Sequence, residues 1–286
     1  MPYSLVLHCV SANGALRPED LQGQKALALF LEELIQKQDA VVAARLHAPK
    51  NAKPFTTAIL PQPAATGNKH RSQSTGEPYE VKIRLTLLDD ALYPLVSQFF
   101  LQNLGRIPLL RLGQTPLLVS RVLTTPESGE PWAGFARFEE LLAMASESET
   151  SWSVHFATPT SFKAGDAELP LPIPRLCFQS WLHRWDEHAP TPFFPDKATR
   201  NAFLSEVVAG QVSVTYSHLR LVQQSLFFDG TRTREQGFVG TCRFVVHAAK
   251  VPPQWRKILA TLARYSFFTG TGRKTTMGMG MTRPIE

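Results

Sequence analysis

The sequence has few cysteines and no long apolar run, and each absence excludes a class of protein. The 286 residues include only three cysteines, at positions 9, 177 and 242, with no closely spaced pair. This spacing excludes a disulfide framework and the common zinc knuckles, and it fits a reducing compartment. No stretch approaches the roughly 18 uninterrupted apolar residues of a membrane span, and the N-terminus lacks the basic start of a secretory signal. We therefore expect a cytoplasmic protein with no membrane partner.

The composition and length favour two folded domains. Hydrophobic residues make up 43% of the chain and charged residues 19%, which is ordinary for a globular protein. At about 100–200 residues per domain, the length suggests two domains. The acidic, serine-rich stretch 145–150 is the natural linker. The predicted domains are therefore residues 1–145 and 146–286.

Positive charge is concentrated in two parts of the chain. Residues 231–286 contain ten lysines and arginines against two glutamates, and residues 45–84 contain seven against two. Such segments favour a polyanionic partner whose phosphates are bound with salt-dependent affinity. The alternative is a solvated basic face on a protein of high isoelectric point.

The hydrophobic pattern repeats one order of elements in both halves. Alternating apolar residues predict strands, spacings of three and four residues predict helices, and polar stretches rich in glycine and proline predict loops. In the first half, the strands are expected at 4–10, 81–87 and 109–123, the helices at 21–38 and after Asp89 or Asp90, and a hairpin loop near 51–78. In the second half, the strands are expected at 152–157, 212–222, 237–248 and after 277, with helices at 174–188 and 252–265. The order β-α-β-β-α-β, found twice, predicts an α+β protein of two tandem ferredoxin-like (RRM-like) domains.

The most distinctive local feature is a glycine-rich segment after the last predicted helix. Glycines occupy positions 270, 272, 278 and 280, and Arg273 and Lys274 lie between the two pairs. The spacing matches neither a Walker A loop nor a Rossmann fingerprint. Such glycines let backbone N–H groups approach phosphates, while the basic pair supplies charge. The alternative is a flexible basic turn before an edge strand.

The spacing G-x-G-x₅-G-x-G, with a basic pair inside it near the C-terminus, resembles the glycine-rich loop of CRISPR-associated repeat-processing endoribonucleases. These enzymes belong to the repeat-associated mysterious protein superfamily and have two ferredoxin-like domains. Segments 154–163, 170–185 and 237–240 are also similar to the family, and residues 46–57 resemble its active-site stretch.

The resemblance implies an activity and a set of partners. Family members cut precursor CRISPR RNA within each repeat without a metal or other cofactor. The ribose 2′-OH attacks the adjacent phosphate and leaves a 2′,3′-cyclic phosphate and a 5′-OH. The expected partner is CRISPR repeat RNA, as a stem-loop, in a prokaryotic cytoplasm. Association with CRISPR effector subunits and a homodimer both stay open.

The resemblance also assigns candidate site residues. His47 suits proton transfer because the reference pKa of histidine, about 6.5, lies near working pH, and Lys53 would stabilise the charge on the phosphorane. The family often adds a tyrosine from the first helix, but residues 21–38 contain no tyrosine. If His47 is not the catalytic histidine, His218 is the reserve candidate. The candidate RNA-binding residues are Lys50, Lys69, Arg71, Arg264, Gly270, Gly272, Arg273, Lys274, Thr275, Gly278 and Gly280.

Two other functions compete with the nuclease. A non-catalytic RNA-binding subunit of a CRISPR effector complex would share the fold and the basic loop. A general RRM-like protein would carry an aromatic RNP1 strand, and the nearest fragment, Arg243–His247, fits that pattern poorly. Replacement of His47 separates the nuclease from the non-catalytic subunit.

We predict that Lys274→Ala weakens binding to repeat RNA and lowers the salt dependence of that binding by roughly one phosphate contact. The measurement is a titration of RNA binding at several salt concentrations. An affinity that is unchanged across this series would contradict the assigned role.

Overall fold

The computed structural model describes residues 1–13, 16–48, 53–60, 79–228 and 231–285. The first half contains β1 (Tyr3–Ser11), α1 (Gly23–Ala28), α2 (Ala40–His47), β2 (Phe55–Ile59), β3 (Glu80–Leu87), α3 (Leu92–Gln102), β4 (Leu109–Leu112), β5 (Thr115–Leu123), β6 (Gly134–Phe135) and α4 (Phe138–Met144). The second half contains β7 (Ser151–Thr160), β8 (Phe162–Ala164), β9 (Ala167–Leu169), α5 (Pro174–His188), α6 (Lys197–Ala202), α7 (Ala209–Gln211), β10 (Val212–Phe228), β11 (Thr231–Val246), α8 (Pro253–Thr269) and β12 (Thr282–Ile285). Helices α1 and α6 continue as π-helical turns over Leu29–Ile35 and Phe203–Val208.

Each half forms an antiparallel sheet of the ferredoxin-like type. The first sheet has the order β2-β3-β1-β5-β4, with β6 paired to β1, and the second has the order β10-β11-β7-β12. In both sheets the first strand of the unit lies in the middle, between the third and the last strands, as the β-α-β-β-α-β order requires. The predicted fold class is confirmed.

The alternating apolar residues of β3 are buried as predicted, but Arg84 and Thr86 on the opposite face are buried as well, so the expectation of a half-buried strand at 81–87 is wrong. In β7, every second residue from Trp152 to Thr160 is buried. Trp181 and Trp185 of α5 are 0% and 1% exposed and pack in the same core, as their spacing of four residues on a helix predicts. This helix has the predicted bounds of 174–188.

The structure differs from the predicted elements in two places that matter for the site. Residues 40–47 form a helix of their own, α2, so His47 is its last residue and does not simply follow the first helix. Residues 109–123 form two paired strands, β4 and β5, because Gly113 turns the chain between them with a φ of +62°. The predicted hairpin loop near 51–78 lies largely outside the described residues.

A buried arginine joins the two halves. Arg84 of β3 is 2% exposed, and its guanidinium lies 4.9 Å from the ring of Trp132 and 4.5 Å from that of Phe267 in α8. Its Nη2 donates to the Phe267 carbonyl at 2.5 Å, and its Nε donates to Ser4 Oγ at 2.9 Å. Burial lowers the pKa of Arg84 to about 9, with Arg283 adding to the effect. Aromatic faces and carbonyl oxygens therefore stabilise this cation.

An ion pair fixes the linker to the second half. Arg264 of α8 donates from both terminal nitrogens to the carboxylate of Glu149, at 3.0 Å each. Burial alone would raise the pKa of Glu149, but hydrogen bonds from Arg264 and from the Ser146 amide hold it below its ordinary value. The predicted domain boundary, after residue 145, lies at the start of this linker and stays a prediction. In the described ranges, the helices are too short or too polar to cross a membrane.

We predict that Glu149→Gln lowers the free energy of unfolding by about 1 kcal/mol at neutral pH. Because the folded-state pKa of Glu149 is depressed, its contribution is complete above the pKa of the unfolded chain and is lost as pH falls through the folded-state pKa. Denaturant unfolding between pH 7 and about pH 3 should show wild type and variant converging in acid. Glu147→Gln, at an exposed neighbouring position, is the control, and an equal loss in both variants would contradict this account.

Candidate active site and the glycine-rich loop

His47 stands at a helix end that the sequence fixes on both sides. The carboxylate of Asp39 accepts hydrogen bonds from the N–H groups of Val41 and Val42, at 2.9 Å each, and so caps the start of α2. At the other end, Leu46 is 3% exposed and anchors the last turn in the core, whereas His47 is exposed. The imidazole on this anchored helix end is open to a substrate and can take or give a proton.

Lys53, the second predicted catalytic residue, lies against the same helix end. Its ammonium donates to the carbonyl oxygens of Leu46 at 2.6 Å and Ala48 at 2.5 Å. The last carbonyls of a helix lack partners within the helix, and a lysine can supply them. Burial lowers the pKa of Lys53. The structure thus brings the two residues together, with Lys53 bound to the main chain on both sides of His47.

The glycine-rich loop, residues 270–281, packs between the two halves. The hydroxyl of Thr57 in β2 donates to the carbonyl of Thr276 at 2.8 Å. Gly278, with a φ of +84°, lies against Gly23 at the start of α1, so that a Cβ on Gly278 would come within 2.9 Å of the Gly23 Cα. Only glycine permits two backbones to approach this closely in such a conformation.

Most N–H groups of the loop glycines have acceptors within the protein. The N–H groups of Gly270, Gly272 and Gly280 donate to Ser266 O at 3.0 Å, Ser180 Oγ at 2.9 Å and Pro159 O at 2.9 Å. Thr275 is also buried, at 6% exposure. These contacts give the loop a packing role, and the RNA contacts of Gly270, Gly272, Thr275, Gly278 and Gly280 stay predictions.

The basic pair of the loop has two acidic partners that the sequence analysis missed. Arg273 forms an ion pair with Glu168 of β9 and lies 3.6 Å from Glu235 of β11, and Lys274 binds the other oxygen of Glu235. Burial would raise the pKa of Glu235, but the hydrogen bond from Lys274 and the two positive charges hold it below its ordinary value. Partners this distant in sequence become neighbours only in the folded chain. Phosphate binding by Arg273 or Lys274 would therefore compete with two carboxylates.

The remaining candidates fall in different places. Arg264 is engaged with Glu149, as described above, and its RNA contact stays a prediction. Lys50, Lys69 and Arg71 lie outside the described residues. His218, the reserve candidate, has a φ of +55° at an irregularity of the β10–β11 pairing. Within the described ranges, no three His, Cys, Asp or Glu side chains are grouped so that they could hold a metal ion.

Solved structures define the class of protein to which this fold belongs. The chain aligns over its whole length with a Thermus thermophilus Cas6 in a product complex, with 31% identity and a TM-score of 0.79 over 100% of both chains. An RNA-binding protein of the repeat-associated mysterious protein superfamily shares the fold, with a TM-score of 0.57 at 12% identity. The chain therefore shares the tandem ferredoxin-like fold of these two proteins.

Family models narrow the assignment within that class. The model described as CRISPR Cas6 N-terminal domain matches residues 1–143, and that described as CRISPR-associated endoribonuclease Cas6 matches residues 154–282. The chain belongs to the Cas6 family.

Curated relatives agree with this membership over part of their length. The Cas6 endoribonuclease of Streptococcus thermophilus is 32% identical over 134 residues, which are 47% of this chain and 50% of that protein. The Cas6 endoribonuclease of Mycobacterium tuberculosis is 29% identical over 170 residues, which are 58% of this chain and 48% of that protein. The matched regions thus span about half the length of these curated relatives.

We predict that Gly280→Ala destabilises the protein much more than Gly105→Ala. Both glycines have a positive φ, +69° and +81°, so both variants carry a similar backbone strain of about 1 kcal/mol. A Cβ on Gly280 would lie 2.1 Å from Thr271 O, whereas Gly105 faces open space. Denaturant unfolding should show an additional loss of about 2 kcal/mol or more at position 280. Equal losses would mean that the loop is not packed as described.

Proposed function

We propose that this chain is a metal-independent endoribonuclease that cuts precursor CRISPR RNA within each repeat. The observation that carries the proposal is the exposed imidazole of His47 on a fixed helix end, with the Lys53 ammonium bound beside it. Family membership supplies the substrate class, because the curated relatives are named CRISPR-associated endoribonucleases. A related Cas6 was solved as a product complex, which supports a site open to RNA.

The proposed chemistry is an internal transfer at phosphorus. The 2′-OH of the ribose loses its proton and attacks the adjacent phosphorus, and the bond to the leaving O5′ breaks as that oxygen gains a proton. The products are a 2′,3′-cyclic phosphate and a 5′-OH. His47 serves one of the two proton transfers, and the positive charge of Lys53 stabilises the phosphorane.

The second half would hold the RNA. The β10–β11 hairpin presents exposed Arg220 and Arg234, whose charges suit the phosphates of a repeat stem. Lys50, Lys69, Arg71, Arg264, Arg273 and Lys274 complete the proposed set of basic contacts. The proposal also includes two further kinds of partner: subunits of a CRISPR effector complex, and a second copy of this chain in a homodimer.

We predict that His47→Ala lowers the single-turnover cleavage rate about 10²–10⁴-fold, because a positioned acid or base contributes that much. The assay uses the host's own end-labelled repeat RNA in EDTA, with product ends tested for a cyclic phosphate. His183→Ala is the matched control, since His183 is also an exposed helical histidine, in α5. It should cleave at the wild-type rate.

Each other outcome has a defined meaning. Equal cutting by wild type and His47→Ala would keep the nuclease and reject His47. A strict requirement for Mg²⁺ would contradict the proposed mechanism. Tight binding without cutting by wild type would favour the non-catalytic subunit of an effector complex.

A further inference from the structure

Helix α5 of the second half contacts the glycine-rich loop through two neighbouring residues. The Ser180 hydroxyl accepts a hydrogen bond from the Gly272 N–H at 2.9 Å. The Trp181 indole N–H donates to Thr271 Oγ1 at 2.8 Å. This turn of α5 is therefore hydrogen-bonded to the glycine-rich loop.

One turn later, α5 reaches the segment of the first half that carries Lys53. The Nη1 of Arg184 donates to the carbonyl oxygen of Lys53 at 2.9 Å. The Arg184 side chain is 17% exposed, and Glu187 lies 3.6 Å from the same nitrogen. The hydroxyl of the buried Tyr265 in α8 donates to the Arg184 carbonyl at 3.4 Å. Arg184 is therefore held within its own half while its guanidinium crosses to the other.

Lys53 continues this line of contacts to His47. Its main-chain carbonyl accepts from Arg184, and its ammonium donates to the carbonyls of Leu46 and Ala48. These carbonyls belong to the residues directly before and after His47. The backbone of His47 is thus tied through a single residue to a helix that also contacts the glycine-rich loop.

We propose that Arg184 is a positioning residue for cleavage. From the second half of the chain it holds Lys53, and Lys53 in turn fixes the position of His47. This inference rests on the proposed function. Proton transfer requires the imidazole within hydrogen-bond reach of the reacting oxygen, and a misplacement of about 1 Å can cost on the order of 100-fold in rate. A guanidinium that fixes Lys53 therefore acts on the rate of the cutting step and leaves the contacts to RNA unchanged.

The test compares Arg184→Ala, Arg184→Lys and the control Arg200→Ala. Arg200 also contacts α5, through Asp186 at 2.8 Å, and its side chain is 22% exposed, so Arg200→Ala removes an ion pair to the same helix from within the second half. We expect Arg184→Ala to slow single-turnover cleavage at saturating enzyme about tenfold or more. Its affinity for a repeat RNA with a 2′-deoxy nucleotide at the cut site should stay within about twofold of wild type. Arg184→Lys should recover part of the rate, and Arg200→Ala should retain all of it.

A double variant tests whether the effect passes through Lys53. If it does, Arg184→Ala/Lys53→Ala should cleave no more slowly than Lys53→Ala alone, because the two contacts lie in series on one path to His47 and loss of the Lys53 ammonium already breaks that path. Additive losses would overturn the proposal. So would a wild-type rate in Arg184→Ala, or a loss that appears only as weaker RNA binding.

A measurement without RNA separates this inference from the proposed function. Amide hydrogen exchange in residues 44–48 should be faster in Arg184→Ala than in wild type and Arg200→Ala. Unchanged exchange would overturn the positioning role. Faster exchange in Arg184→Ala, combined with a wild-type chain that cuts no RNA, would support the path of contacts through Lys53 and reject the nuclease.

Discussion

The architecture depends on a contact in which two backbones meet without side chains between them. Gly278 of the C-terminal loop lies against Gly23 at the start of α1, and a Cβ on Gly23 would come within 2.0 Å of Met277 O. Any larger residue at either position would push the two halves apart. Because this contact fixes the loop against α1 and β2, it also fixes the distance between the loop and the helix end that carries His47.

The sequence predicted the parts of this protein that local patterns encode. Alternating residues in β3 and β7 and the helical spacing of Trp181 and Trp185 led to the correct order of elements. Helix α2 was missed because Ala43 and Leu46 are its only buried residues, too few for a clear apolar stripe. Its capping residue, Asp39, was the available signal.

The sequence offered candidate site residues only where a motif carried them. His47 and Lys53 were chosen from a short stretch of family resemblance, and the fold brings them together. The partners of the basic pair could not be chosen in this way, because Glu168 and Glu235 meet Arg273 and Lys274 only through tertiary structure. The number of basic residues in 231–286 therefore overestimates the positive charge that this stretch presents to a partner. Exposed arginines such as Arg234 become stronger candidates for RNA contacts.

Arg84 has a consequence for the order in which the chain can become complete. Its first-half partners, Ser4 and Trp132, are synthesised with the first half, but the carbonyl and ring of Phe267 belong to α8 and are synthesised only after most of the second half. Domains fold as they emerge, the N-terminal one first. Until α8 has folded, the Arg84 guanidinium lacks its Phe267 partners and is hydrated. The face of the first sheet that carries Arg84 is then exposed to solvent. Closing that face is thus a late event that joins the two halves into one folded body.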